Sequence, residues 1–189
     1  MIIAGIDYCL SCPGICVYDS KLGDFKLTNT YCYFRSNIQR FNKFSKDKIF
    51  GENHNPWKIE QYRYDDIATW ALEILVDKHK VEKAFLEGYS YGSTGKVFHI
   101  AENTGILKDR MWDEEVEFEI VPPTTIKKFA TGKGNASKEK MYETFMKENP
   151  SFDLRASLTP RSSNVISPVS DIVDAYFITK YGLSVLGCS

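Results

Sequence analysis

Three short apolar segments open the chain, each bounded by residues that favour turns. Residues 2–8 and 15–18 are separated by the turn signal Pro13-Gly14, and residues 25–34 are rich in Thr, Tyr and Phe. Apolar runs of this length favour β-strands, and the short connections favour strands that lie side by side. The pattern therefore predicts an antiparallel meander, which restricts the chain to folds built on a sheet.

The rest of the chain alternates predicted helices with two further predicted strands. The strands are expected at 83–87 and 116–121. The helices are expected at 65–79, 97–112, 124–130, 137–148 and about 168–181. This order predicts an α/β fold with a five-stranded mixed sheet, in which the meander comes first and parallel strands follow, flanked by helices.

Length and composition predict a single domain with a real core. The chain has 189 residues, of which 43% are hydrophobic, so wholesale disorder is not expected. We expect an insertion or long loop at about 37–63 and a mobile loop at about 149–167. No apolar run approaches the ~20 residues of a membrane span, and residues 1–5 lack the features of a signal peptide. A cytoplasmic location is therefore expected.

Two segments are locally basic, although the net charge of the whole chain is −1. Residues 122–140 contain five lysines and one acid, and residues 35–48 contain five basic residues and one acid. Such a segment either forms a solvated face or holds a polyanion. Sequence alone leaves both interpretations open.

Four acidic residues occupy positions that packing alone does not favour. Asp7 and Glu87 each end a predicted buried strand, and Asp171 and Asp174 lie three residues apart on an almost wholly apolar helix, so they share one face. A lone buried carboxylate costs several kcal/mol unless it is paired or bound to a metal. The alternatives are polar strand ends for Asp7 and Glu87, and a favourable interaction with the helix dipole for Asp171.

Divalent cations would remove the repulsion among four converging carboxylates. Two Mg²⁺ ions supply four positive charges, and hard oxygen ligands suit Mg²⁺, with Mn²⁺ as a substitute. Two such ions ~4 Å apart can activate a water and stabilise the leaving oxygen of a phosphodiester. The four acids thus indicate a site for phosphodiester hydrolysis.

The order of motifs resembles the RuvC family of Holliday-junction resolvases, within the RNase H-like nuclease superfamily, and is most similar to its bacteriophage branch. The resemblance rests on four segments, in chain order "IIAGIDYCLSCPGICVYD", "KAFLEGYSYGSTGKVFHIAENTGIL", "VPPTTIKKFATGKGNASKEKM" and "SDIVDAYFITKYG". It covers the chain except for roughly residues 37–63 and 149–167, and it implies an RNase H-like fold.

The resemblance also implies roles for individual residues. The metal ligands of the family map onto Asp7, Glu87, Asp171 and Asp174, and its basic residues near the scissile phosphate map onto Lys127 and Lys138, with Lys138 as a catalytic residue. The following residues are then expected to contact DNA: Lys127, Lys128, Lys133, Lys138, Tyr89 and Tyr91. The two tyrosines would stack on an unpaired base, although ordinary loop tyrosines are the equal alternative.

The function implied is a metal-dependent endonuclease that cuts Holliday junctions. Its partners would be four-way DNA junctions and a second copy of the chain in a two-fold homodimer. A bacteriophage source would place it in the cytoplasm of the host. The residues after Asp7 are Tyr8-Cys9, where bacterial members usually have Pro-Gly, and this departure leaves open whether the substrate is strictly the four-way junction or branched DNA more broadly.

Three other functions stay open at the level of sequence. A non-catalytic module that binds branched DNA would keep the fold without the chemistry. An actin-like ATPase begins with a similar strand-turn-strand unit, but such proteins are generally longer. A zinc or iron–sulfur site at Cys9, Cys12 and Cys16 would need a fourth ligand, from Cys32 or one of the three histidines, and this spacing is not the usual paired arrangement.

Overall fold

A seven-stranded mixed sheet forms the centre of the computed structural model, which describes residues 1–89 and 97–187. The strands are β1 (Ile2–Asp7), β2 (Gly14–Asp19), β3 (Thr30–Ser36), β4 (Phe44–Lys46), β5 (Ile49–Asn53), β6 (Lys83–Glu87) and β7 (Glu117–Val121). Their spatial order is β4-β5-β3-β2-β1-β6-β7. Strands β1, β2 and β3 form an antiparallel meander, and β6 and β7 extend it in parallel from β1. The predicted α/β class and the order of strand directions are confirmed.

Helices cover both faces of this sheet. They are α1 (Glu60–Leu72), α2 (Val97–Asp113), α3 (Pro123–Thr131), α4 (Lys138–Glu148), α5 (Leu154–Leu158) and α6 (Val169–Val185), and a π-helical segment, Glu73–Lys78, continues α1. One buried cluster joins the sheet to α1 and α2, and the other joins it to α3, α4, α5 and α6. None of the helices in the described ranges is long and apolar enough to cross a membrane.

Alternation along β1 explains why both faces are covered. Ile3 belongs to the cluster under α6, whereas Ala4 and Ile6 belong to the cluster under α1 and α2, and all three are fully buried. Successive side chains of a strand point to opposite faces, so a strand that is apolar at nearly every position must be covered on both sides. The sheet therefore lies between two helical layers.

The sheet has two strands more than the five predicted, and both come from the segment 37–63. Strands β4 and β5 form a hairpin, and β5 pairs in parallel with β3. The turn residues Asp47 and Lys48 both have positive φ, at 51° and 61°, which matches a type I′ turn without the usual Asn-Gly pair. The polar composition of the segment and this atypical turn concealed the hairpin. Helix α5 likewise lies within the predicted loop 149–167.

The last helix runs past residue 181, where we predicted it to end. Gly182 lies inside α6 and is buried. A Cβ atom there would collide with the ring of Phe85 on β6, so the glycine permits close packing of the helix on the sheet. Its role is contact with a neighbouring aromatic ring and not helix termination.

Candidate functional site

The strand register brings Asp7 and Glu87 to one edge of the sheet. Asp7 is the last residue of β1 and Glu87 the last residue of β6, and the preceding residues Ile6 and Leu86 are partners in the parallel pair. Parallel strands end at the same edge, so both carboxylates leave the sheet side by side. Their side chains line a common cleft of about 290 Å³.

Helix α6 lies across this edge because two glycines allow its backbone to approach the sheet. A Cβ atom at Gly5 of β1 would lie 2.5 Å from the carbonyl oxygen of Ala175, and one at Gly14 of β2 would lie 2.7 Å from the carbonyl oxygen of Asp171. Real Cβ contacts are longer than this, so any side chain at either position would push the helix away. The close approach places the first two turns of α6, with Asp171 and Asp174, next to Asp7.

Burial raises the pKa values of all four carboxyl groups, and repulsion by neighbouring acids adds to the shift for Asp7, Glu87 and Asp174. Burial is the largest cause for each of them. The pKa of Asp7 is raised further by the charges of Glu87, Asp171 and Asp174. The pKa of Glu87 rises to about 7, and that of Asp174 also rises to about 7, with the charge of Asp171 adding to both. The structure therefore brings the four predicted acids together.

One carboxylate oxygen in this group has no hydrogen-bond partner. Asp171 is buried, with 6% of its surface exposed, and its Oδ2 is unpaired. Ser167 and Cys12 lower its pKa by hydrogen bonding, against the larger effect of burial. Among the described residues, no three His, Cys, Asp or Glu side chains converge closely enough to hold a metal ion as they stand. The acids are near one another but do not form a closed cage.

Two of the four predicted lysines face the carboxylates. Lys138 lowers the pKa of all four acids, and its Nζ donates to Ser170 Oγ at 3.3 Å, one residue before Asp171. Lys127 on α3 lowers the pKa of Glu87 and Asp174. Lys128 and Lys133 are exposed and are not among the groups that shift the carboxyl pKa values. Of the four predicted lysines, the structure thus places two at the acids and two away from them.

One of the two predicted tyrosines can be placed. Tyr89 lines the cleft that contains Asp7 and Glu87, is 40% exposed, and lies under the Lys108 ammonium at 5.6 Å from the ring centre. Tyr91 lies outside the described residues. A partly exposed ring at the mouth of an acidic cleft can stack on a base.

Arg63 is a site residue that the sequence analysis missed. It lines the same cleft as Asp7 and Glu87, and its Nη2 donates to the carbonyl oxygen of Leu10 at 2.7 Å. Its guanidinium lies 4.4 Å from the ring centre of Trp57. The arginine thereby fixes the turn that follows Asp7. In the sequence it is flanked by Glu60, Asp65 and Asp66, so no local excess of positive charge marks it.

The cysteines near Asp7 have structural roles. Cys16 is fully buried in β2, with its Sγ 3.8 Å from the Sγ of Cys32 on β3. Cys12 is also buried, with 3% of its surface exposed. Its side chain packs towards Asp171, whose carboxyl group it contacts. Cys9 Sγ accepts the backbone N–H of Cys12 at 3.3 Å, which closes the turn between β1 and β2.

The fold and the placement of these acids define the class: the chain has the fold of RuvC-type Holliday-junction resolvases, as the sequence resemblance implied. The structure of Thermus thermophilus RuvC matches with a TM-score of 0.63 and 16% identity, over 100% of this chain and 98% of that one. No protein-family model and no curated protein sequence matches.

Two further solved structures share the fold. T. thermophilus RuvC in complex with a Holliday-junction substrate has a TM-score of 0.60 and 13% identity, over 100% of this chain and 97% of that one. The yeast mitochondrial Holliday-junction resolvase Ydc2 has a TM-score of 0.55 and 13% identity, over 94% of this chain and 75% of that one. At these identities the likeness establishes a shared fold.

Proposed function

We propose that the protein is a metal-dependent endonuclease that cleaves four-way DNA junctions. The observation that carries the proposal is the meeting of four carboxylates with Lys127 and Lys138 at one edge of a RuvC-like sheet. Asp7 and Asp171 are buried, and Glu87 and Asp174 are half-buried. Acids that raise one another's pKa need a counter-charge to ionise together. Two divalent cations provide it.

The donor set fits Mg²⁺, with Mn²⁺ as a substitute. Asp7, Glu87, Asp171 and Asp174 offer only carboxylate oxygens, and Oδ2 of Asp171 is buried without a partner. These four residues would hold two ions, and binding would draw the carboxylates into contact. When bound, such ions activate a water and stabilise the leaving oxygen of an in-line displacement. The carboxylates would fix the positions of the ions.

The lysines supply the positive charge that the ions do not. Lys138 would contact the scissile phosphate and stabilise the charge that develops on it, and Lys127 would hold an adjoining phosphate oxygen. Lys128 and Lys133, which are exposed on the same segment, would contact the DNA backbone further out. Tyr89 would stack on an unpaired base at the branch point, and we assign the same role to Tyr91.

Branched DNA and a second copy of the chain are the proposed partners. Two solved neighbours, T. thermophilus RuvC and the Fowlpox virus resolvase, are complexes with Holliday-junction DNA. Helix α2 exposes two large aromatic side chains, Phe98 at 82% and Trp112 at 78%. Large exposed aromatic residues are typical of protein interfaces. A two-fold dimer through this helix would present two sites to the symmetric strands of a junction.

A non-catalytic module that binds branched DNA is the second candidate. The observation in its favour is that the acids, as their side chains stand, do not converge into a metal cage among the described residues. This candidate would bind the same DNA but would leave it intact with either metal.

The experiment that separates the two candidates is a cleavage assay with metal omission. A labelled four-way junction and a linear duplex of the same sequence are incubated with the protein in Mg²⁺, in Mn²⁺ and in EDTA. We expect paired nicks near the branch point with either metal, none in EDTA, and an intact linear duplex. Binding of the junction without cleavage in both metals would refute the nuclease and favour the second candidate.

A further inference from the structure

Two segments that lie outside the family resemblance meet in space. These are residues 37–63 and 149–167. Nη2 of Arg40, in the first segment, donates to the carbonyl oxygen of Leu158, in the second, at 2.7 Å. A cleft of about 370 Å³ opens beside this contact and is lined by Arg40, Thr159, Arg161, Ser162, Ser163 and Ile166. It is separate from the cleft that contains Asp7 and Glu87.

The lining of this cleft has the chemistry of an anion site. Two arginines and three hydroxyl residues line it, and none of the described lining residues is acidic. Arg40 and Arg161 are both exposed, so their guanidinium groups can reach a ligand. Arginine presents several N–H donors in a planar fork that matches the oxygens of a phosphate group.

A buried hydroxyl in the cleft has no partner. Thr159 is 3% exposed, and its Oγ1 makes no hydrogen bond. A buried polar group that is left unpaired costs free energy, so an acceptor supplied by a ligand would satisfy it. The hydroxyl of Ser162, in contrast, already donates to the carbonyl oxygen of Asn164 at 2.8 Å. Thr159 therefore provides an observation independent of the positive charge.

The cleft adjoins the helix that carries two of the four acids. The backbone N–H of Ser170 donates to the carbonyl oxygen of Ile166 at 3.2 Å, so Ile166 lies in the turn that leads into α6, which begins at Val169. Even an extended chain advances only about 3.5 Å per residue, so Ile166 and Asp171 lie at most about 17 Å apart. DNA advances about 3.4 Å per nucleotide along one strand, so a strand across both sites would span about five nucleotides or fewer.

The structure divides the basic residues of segment 35–48 into paired and exposed ones. Arg35 is buried and paired with Asp66, and Lys48 donates to the carbonyl oxygen of Thr28 at 2.8 Å. Three of the five basic residues remain exposed, namely Arg40, Lys43 and Lys46. Of these three, Arg40 lines the cleft together with Arg161.

We propose that this cleft, formed by Arg40, Thr159, Arg161 and Ser163, binds a backbone phosphate of the DNA a few nucleotides from the site of cleavage. This inference rests on the proposed function for its ligand, since it takes branched DNA as the partner. It gives the two segments outside the resemblance a common role, which is to hold the substrate strand beyond the acids.

Two variants test the cleft without disturbing the fold. Arg161→Ala removes an exposed charge that makes no hydrogen bond or ion pair among the described residues. Thr159→Val removes the unpaired hydroxyl at nearly constant volume, so it should leave Tm unchanged or raise it. Lys21→Ala/Lys26→Ala is the control, because it removes exposed charges from the loop after β2, at the end of the sheet opposite Asp7.

The measurement is the Kd for a four-way junction in EDTA, where no cleavage occurs, at several salt concentrations. We expect Arg161→Ala to raise Kd about three- to tenfold and to reduce the slope of log K against log salt by about 1. Thr159→Val should raise Kd about threefold while Tm does not fall. The control should match the wild type throughout.

Wild-type Kd and salt slope in both variants would overturn the inference, as would an equal loss in the control. Calorimetric titration with inorganic phosphate covers the other source of the same chemistry. Tight phosphate binding together with unchanged DNA affinity in the variants would assign the cleft to a free anion and refute the DNA contact. A wild-type protein that binds the junction but never cuts it would refute the nuclease and leave this contact standing.

Discussion

At the level of single residues, the four carboxylates are under electrostatic stress that exposed acids do not experience. Burial and the other acids raise the pKa of Glu87 and of Asp174 to about 7, against ordinary values of 4.5 and 3.8. In the metal-free protein at about pH 8, both groups are charged at a free-energy cost. The site is therefore destabilising until cations bind, which is a common property of functional sites.

Removing one of these charges should stabilise the metal-free protein. We expect Glu87→Gln and Asp174→Asn each to raise the free energy of unfolding by about 1–3 kcal/mol at about pH 8, because a buried like charge is lost. Urea denaturation in EDTA measures this. The control is Asp77→Asn, an exposed acid in the π-helical segment Glu73–Lys78, and it should change stability by less than about 0.5 kcal/mol. Destabilisation by both site variants would contradict the electrostatic account.

The same shifts predict how stability depends on pH. Between about pH 4.5 and pH 7 the unfolded chain has already released the protons of Glu87 and Asp174, whereas the folded protein still holds them. The folded state binds more protons, so this contribution to stability is lost as pH rises through that window. His54 and His79, whose pKa values burial lowers, act in the opposite direction. The histidines are the same in a variant and in the wild type, so the measurement is the difference in the free energy of unfolding between the two proteins.

We expect the stability difference between the Glu87→Gln/Asp174→Asn double variant and the wild type to grow from about pH 5 to about pH 8 in EDTA. Excess Mg²⁺ should shrink that difference at about pH 8, because ions that bind only the folded wild type stabilise it by mass action. A difference that stays constant with pH would contradict the pKa shifts, and a difference insensitive to Mg²⁺ and Mn²⁺ would contradict the proposed metal ligands.

At the level of elements, the distance between β1 and α6 determines whether the acids can meet. Gly5→Ala would place a methyl group against the backbone of Ala175 and Thr179. We expect a loss of stability of about 2–4 kcal/mol, because backbone cannot move aside as a side chain can. The control is Gly105→Ala on α2, where an added methyl meets nothing within 4 Å, and which should be neutral or stabilise by up to about 1 kcal/mol. Thermal denaturation distinguishes the two variants, and a neutral Gly5→Ala would show that the helix does not need this close approach.

Some elements could be predicted from sequence because their signals are local. The run 83–87 is apolar, short and ends in an acid, and β6 occupies those residues. The pairing of β5 with β3 could not be predicted, because β5 belongs to the hairpin with β4, whose turn residues Asp47 and Lys48 carry no typical turn signal. Asp7, Glu87, Asp171 and Asp174 could be proposed because their signals, strand ends and helix spacing, are also local. Arg63 and Arg40 could not, since only the tertiary fold brings them to their clefts.

At the level of the whole molecule, the proposed dimer makes a separate prediction. Phe98→Glu should convert the protein to a monomer, because a charge would have to be buried in the interface. Analytical ultracentrifugation measures this, with Leu22→Glu as the control, since Leu22 is a partly exposed apolar residue at the far end of β2. A wild type that sediments as a monomer on junction DNA, or a Phe98→Glu variant that stays dimeric, would refute this interface.

We propose that Asp7, Glu87, Asp171 and Asp174 act together to cut branched DNA with bound metal ions. The most direct measurement is single-turnover cleavage of a labelled four-way junction in Mg²⁺ by the wild type, Asp174→Asn and Asp77→Asn. We predict that Asp174→Asn loses at least about 100-fold in rate while still binding the junction, and that Asp77→Asn cuts like the wild type. Cleavage by Asp174→Asn at the wild-type rate would contradict the account.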